Sequence, residues 1–222
     1  MARFDKMAVM QKIAAAPMVP VFYHKDAEVA KKVVKACYDG GVRAFEFTNR
    51  GDFAQEVFAE LSKFVAVECP ELALGIGSVV DAPTAAMYLQ LGANFIVGPL
   101  FNPDIAVVCN RRCVTYCPGC LTPSEIGKAQ EVGCDFTKVF PGDVVGPNLI
   151  KGLMAPMPWS KIMVTGGVAP VEENLEKWVK AGVFCVGMGS KLFPGDKVKA
   201  GDWQYITDKC KEALGFCAEA RK

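Results

Sequence analysis

Short apolar runs alternate with longer stretches whose apolar residues recur at helical spacing along nearly the whole chain. The first pair is Met18-Val19-Pro20-Val21-Phe22-Tyr23, which reads as a strand, followed by Ala30, Val33, Val34, Cys37 and Tyr38 on one helical face. Further strands are predicted at Arg43–Thr48, Ala73–Val79, Phe95–Gly98, Thr115–Pro118, Phe136–Phe140, Lys161–Thr165 and Phe184–Gly187. Between them, Gly146–Met154 reads as a helix, and Val171, Leu175, Trp178 and Val179 form an apolar stripe on another. Thr122-Pro123-Ser124-Glu125 supplies an N-cap, a proline at the first helical position and a glutamate placed for a capping box. Asn102-Pro103-Asp104 repeats most of that signal, while Gly40-Gly41 and Ala181-Gly182 stand where helices stop.

Eight βα units in 222 residues fit an α/β fold of the (β/α)8 TIM-barrel kind better than an open doubly wound sheet, which commonly uses fewer strands. No linker or composition break divides the chain, so residues 1–222 are expected to form one barrel domain. Composition narrows the function classes. The chain is 51% hydrophobic with a formal net charge of +1, and its charges are mixed in sign. A nucleic-acid or membrane partner therefore has no evident footprint. The opening Met1-Ala2-Arg3-Phe4-Asp5-Lys6 lacks the apolar core of a signal peptide, and cytoplasmic residence is the expectation.

Within Phe136-Thr137-Lys138-Val139-Phe140-Pro141, Lys138 is a charge in an otherwise apolar strand. Burial disfavours an ammonium ion, and a free amine in a dry site attacks ketones to give a Schiff base. A lysine snorkelling from the strand end to solvent is the plainer alternative. In a barrel the chemistry gathers at the carboxyl ends of the strands, so the other polar residues there are read with it. Glu46 sits between two aromatics in Ala44-Phe45-Glu46-Phe47-Thr48; it is either a proton carrier facing Lys138 or the structural partner of a buried arginine. Arg50 offers a planar fork for a carboxylate, or is a surface residue. Thr165-Gly166-Gly167 and Gly189-Ser190 follow strands seven and eight, where exposed N–H groups of barrel loops meet phosphate, although tight turns need glycine too.

Four cysteines within twelve residues, Cys109, Cys113, Cys117 and Cys120, are the rival signal for metal or redox chemistry, but they lack paired Cys-x-x-Cys spacing. Buried packing is the reading preferred for them. His24 is the only histidine, which argues against a Ser-His-Asp triad or a multi-histidine metal site and leaves it a packing or rim role. Lys161 and Lys191 are placed toward the barrel's exterior or ends.

The runs Gly41-Val42-Arg43-Ala44-Phe45-Glu46-Phe47-Thr48-Asn49-Arg50, Gly75-Ile76-Gly77-Ser78-Val79, Cys117-Pro118-Gly119, Lys138-Val139-Phe140-Pro141 and Thr165-Gly166-Gly167-Val168 resemble, in order, the 2-keto-3-deoxy-6-phosphogluconate aldolases. The resemblance implies a metal-free class I aldolase, usually trimeric, that releases pyruvate and glyceraldehyde 3-phosphate; some members act on 4-hydroxy-2-oxoglutarate. It implies Lys138 as the Schiff-base lysine, Glu46 as acid and base, and Arg50 as the clamp on the pyruvyl carboxylate. Ser78, where the family commonly has threonine, keeps a hydroxyl for the substrate. The resemblance further implies that Phe140 walls the pocket and that Thr165, Gly166, Gly167, Gly189 and Ser190 lie at the phosphate end. The chain departs from the family's common Ser-Pro-Gly at Gly98-Pro99-Leu100-Phe101 and carries Val164 where proline often precedes Thr165. Reaction type is thus better supported than substrate. The 6-phosphogalactonate analogue, or a barrel that only binds phosphate or metal, stands as the alternative.

Overall fold

The computed structural model describes residues 2–222. Its strands are β1 (Met18–Phe22), β2 (Ala44–Thr48), β3 (Ala73–Gly77), β4 (Phe95–Val97), β5 (Thr115–Cys117), β6 (Gly119–Cys120), β7 (Phe136–Val139), β8 (Lys161–Thr165) and β9 (Cys185–Met188). They pair in the order β5-β4-β3-β2-β1-β9-β8-β7-β6, and every pairing is parallel. The fifth predicted strand, Thr115–Pro118, is observed as β5; the chain is interrupted at Pro118, which has no N–H for the ladder, and continues beyond the predicted end as β6. The Pro118 carbonyl accepts from the Lys138 N–H at 2.8 Å, and the Cys117 carbonyl accepts from Gly98 N on the other side at 3.1 Å. The two ends of the strand order are therefore one stretch of chain, and the sheet closes into a (β/α)8 barrel.

The outer ring consists of α2 (Ala27–Asp39), α3 (Ala54–Glu68), α4 (Ala82–Gln90), α5 (Pro103–Asn110), α6 (Pro123–Glu131), α7 (Gly142–Met154) and α8 (Glu172–Lys180), with α9 (Gly195–Ala200) and α10 (Trp203–Glu219) after β9. The caps form as the sequence signals them. Thr122 and Glu125 complete both halves of the capping box, and the Asn102 side chain accepts from Asp104 N. The helix expected from Gly146 begins earlier, at Gly142. It is broken at Gly146, whose φ of 69° is left-handed, and resumes at Pro147.

A further helix, α1 (Lys6–Ala15), precedes the barrel and was not anticipated from the pattern. Its fully buried Val9 and Ile13 pack with Val19, Ala44, Ala73, Phe95 and Phe136 inside the barrel, closing the amino-terminal end of the strands. Strand alternation separates this inner core from the outer one: on β2, Phe45 and Phe47 face the helices while Ala44 lies inside. The barrel is thus plugged at one end, and polar groups collect at the other.

The four clustered cysteines diverge. Cys117 lies in the inner core, Cys109 and Cys120 in the outer core, and Cys113 is exposed. Among the described residues, no helix is long and apolar enough to cross a membrane.

The hydroxyl of Thr137 on β7 is buried without a hydrogen-bond partner. An unmet buried donor costs about 1–3 kcal/mol, so Thr137→Val is expected to stabilise the fold by roughly 1 kcal/mol. A urea titration reads this as a raised midpoint; an unchanged or lowered midpoint would show that the hydroxyl is satisfied.

Candidate active site

Closure of the barrel brings β2 and β7 to face each other, and with them the two buried ionisable groups of the inner wall. Lys138 is 7% exposed and Glu46 1%. Lys138 Nζ stands 3.7 Å from Glu46 Oε1, while Glu46 Oε2 is buried with no hydrogen-bond partner. Burial raises the Glu46 carboxyl above its ordinary range, and Lys138 and Arg50 only partly oppose that. A carboxyl so placed can hold a proton near neutrality and return it, as general acid–base chemistry requires.

The neighbours account for the geometry. A Cβ on Gly77 would lie 1.8 Å from Glu46 Oε1, so the missing side chain is the space that the carboxylate occupies. Gly77→Ala is expected to displace the carboxylate and lower kcat by about 10²-fold, the scale of a misplacement near 1 Å. Steady-state kinetics beside circular dichroism checks this; full activity in a folded variant would show that Glu46 tolerates the shift. Cys117 also borders the pair, and burial holds its thiol well above the usual range despite the pull of Lys138. Burial of this kind disfavours the thiolate, the form that acts as a nucleophile or metal ligand.

At the rim, Lys138 Nζ lies 5.3 Å from the centre of the Phe140 ring. Arg50 is exposed, and its Nε donates to Ser78 Oγ over a long 3.5 Å. Ser78 follows β3 at a φ of 60°, a left-handed turn that aims its short side chain back at Arg50. The same loop is braced where the Tyr88 hydroxyl donates to Asn49 Oδ1 at 2.8 Å.

Beside this pair a cavity of about 430 Å³ opens at the carboxyl ends of the strands, lined by Arg50, Phe140, Thr165, Gly166, Gly167, Gly187, Gly189 and Ser190. Lys138 and Glu46 are not in its lining but are buried behind it, Lys138 beside the Phe140 ring. Gly166 and Gly167 both have left-handed φ, 98° and 71°, and their turn packs on Asp143. Gly187 is required inside β9 because a Cβ there would lie 2.2 Å from Thr165 Oγ1. A cleft of about 450 Å³ between α7 and α8 is as large, but Lys177 and Lys180 on it are paired with Glu173 and Glu176 at the surface, and no buried ionisable group borders it.

Glu46, Arg50, Ser78, Lys138, Phe140, Thr165, Gly166, Gly167, Gly189 and Ser190, picked from sequence, all lie at this one end. Val21, Asp143 and Val168 also line the cavity without a signal in the sequence, and Lys191, expected at the barrel's exterior or ends, is exposed at this end. Lys161 is exposed at the start of β8, at the far end, but Lys191 lines the cavity. The available signal was adjacency to Ser190, which puts Lys191 in the same βα loop. His24 stacks on Phe22 with parallel rings 6.3 Å apart and is not part of the cavity lining.

A parallel barrel with its ionisable pair and open cavity at the carboxyl ends of the strands has the layout of a barrel enzyme. The model of the family described as KDPG and KHG aldolase matches residues 9–209, and the chain belongs to that family of lyases. A 2-dehydro-3-deoxy-phosphogluconate aldolase of Pseudoalteromonas atlantica is 33% identical over 214 residues, covering 96% of this chain and 97% of the relative. A 2-dehydro-3-deoxy-6-phosphogalactonate aldolase of Escherichia coli is 30% identical, covering 96% of this chain and 98% of its own length. Among solved structures, the KDPG aldolase of Legionella pneumophila, with pyruvate captured at low pH as a covalent carbinolamine intermediate, superposes with a TM-score of 0.81. It is 26% identical, with 91% of this chain and 96% of that chain covered.

Proposed function

We propose that this aldolase cleaves 2-keto-3-deoxy-6-phosphogluconate reversibly to pyruvate and glyceraldehyde 3-phosphate through a Schiff base on Lys138. The observation that carries the proposal is the buried Lys138–Glu46 pair at 3.7 Å beside the cavity. The carbinolamine captured in the Legionella pneumophila relative supports the same first step here.

The Lys138 amine adds to the C2 ketone, and the carbinolamine loses water to give an iminium. Glu46, through a water, takes the proton of the C4 hydroxyl. The C3–C4 bond breaks, its electron pair passes into the iminium, and the aldehyde leaves. Glu46 then returns the proton to C3 of the enamine, and hydrolysis of the pyruvyl imine restores the amine. Arg50 binds the C1 carboxylate with its planar fork, with Ser78 steadying the guanidinium. Phe140 covers the amine side, and the Gly166–Gly167 turn with Thr165, Gly189 and Ser190 receives the phosphate.

The phosphogluconate-derived acid is preferred to 4-hydroxy-2-oxoglutarate because the cavity extends to a glycine-rich end that a five-carbon dicarboxylate does not need. Pyruvate release, followed by coupling to NADH oxidation, is to be compared for the gluconate-derived acid, its galactonate-derived C4 epimer and 4-hydroxy-2-oxoglutarate. The highest kcat/KM is expected for the first; a clear preference for either other acid overturns the substrate assignment. The homotrimer implied by the resemblance belongs to the same proposal, supported by the exposed apolar fringe of Val80, Leu100, Val107 and Leu121. Light scattering should give three times the chain mass, and a monomer would dismiss it.

A further inference from the structure

We infer that Lys191 is a specificity residue that pairs with the terminal phosphate of the substrate and so separates phosphorylated from unphosphorylated keto acids. The inference deepens the proposed function and rests on it for the identity of the substrate, but not for the binding of phosphate.

Leu192 N donates to Gly189 O at 2.9 Å, closing a turn immediately after β9. Leu192 is fully buried and Phe193 nearly so, the latter packed against Phe22 with ring centres 4.9 Å apart. The backbone of Lys191 is therefore pinned at the mouth of the barrel, and the residue is exposed and borders the cavity. Among the described residues, no carboxylate pairs with it. The other cation of the lining is Arg50, which the proposed chemistry engages with the C1 carboxylate.

The need for a second cation follows from Asp143. It lines the same cavity and is packed so closely on the glycine turn that a Cβ at Gly166 would meet its Oδ1 at 2.7 Å. A carboxylate beside the N–H groups that would take a dianion works against binding it. Lys191, reaching in from the neighbouring loop, offsets that charge and supplies a donor to phosphate. With C1 on Arg50 and C2 at Lys138, a six-carbon phosphate ester extends its phosphate to this end, whereas the second carboxylate of 4-hydroxy-2-oxoglutarate stops beside the reacting carbons.

Two measurements test the inference. Calorimetric titration with glycerol 3-phosphate, an inert analogue of the aldehyde product, is expected to show binding to wild type and to Lys138→Ala. For Lys191→Met the affinity should fall by about tenfold to a hundredfold, the value of one charge-assisted contact. Asp143→Asn should bind more tightly than wild type, and Lys191→Arg should recover most of the loss. In turnover, Lys191→Met should raise KM for the phosphorylated acid while leaving 4-hydroxy-2-oxoglutarate cleavage within about twofold. Equal binding by wild type and Lys191→Met, no binding to wild type, or equal loss on both substrates overturns the assignment. The titration does not need the Schiff base, so failure of the aldolase mechanism and failure of this inference give different results.

Discussion

Lys138→Ala is expected to abolish carbon–carbon cleavage, lowering kcat by on the order of 10⁴-fold or more, the scale seen when an enzyme loses its nucleophile. Incubated with pyruvate and borohydride, the wild type should gain one reduced pyruvyl group per chain, mapped to the peptide that contains Lys138. The variant should gain none. Of the lysines exposed elsewhere, Lys191 borders the cavity and Lys161 lies at the far end, but neither has the buried carboxyl partner at 3.7 Å that Lys138 has in Glu46. Breaking a buried ion pair can cost several kcal/mol, so Lys138→Met, which keeps the volume, should be tested alongside. The cost is softened here because burial already favours the neutral form of the Glu46 carboxyl. An adduct that persists in a folded Lys138 variant, or no adduct on folded wild type, removes the mechanism.

Glu46→Gln is the second large effect. General acid–base catalysis contributes about 10²–10⁴-fold, so kcat should fall within that range while the pyruvate adduct at Lys138 still forms, more slowly. The sign of the pH dependence follows from burial. Glu46 in the folded protein holds its proton above 4.5, its ordinary value, whereas the unfolded chain has released it there. The native state then binds more protons, and the stability contributed by this carboxyl declines as pH rises from 4.5 through its raised value. Denaturant titrations across that window should show the wild type losing stability relative to Glu46→Gln. A pH-independent difference, or a kcat within threefold of wild type, would reduce Glu46 to a structural partner of Lys138.

Much of the barrel was legible because its signals are local. Period-two and period-3.6 patterns, the Thr122–Glu125 capping box and the Gly40-Gly41 stop each depend on residues a few positions apart, and each appears where its pattern places it. Lys138 stood out for the same reason, as one charge among apolar neighbours. Other features depended on distant packing. Helix α1 has only a weak apolar stripe of its own and is held by the open end of the barrel that receives Val9 and Ile13. Pro118 splits the fifth strand without a visible break in its apolar pattern, because the strand serves two neighbours in turn. Adjacency to Ser190 puts Lys191 near the barrel's end, but that it borders the cavity depends on how the buried Leu192 and Phe193 hold its loop.

By itself, then, the sequence determined the order of the βα units, the identity of the reactive lysine candidate and the glycine-bearing loops, since these are set by propensity, periodicity and capping within short windows. Only the tertiary structure decided that Glu46 meets Lys138, that Gly77 leaves room for the carboxylate, and that Asp143 and Lys191 line one cavity. Those meetings join residues from strands far apart in the chain, and their distances are set by the closure and stagger of the barrel, which no local pattern specifies.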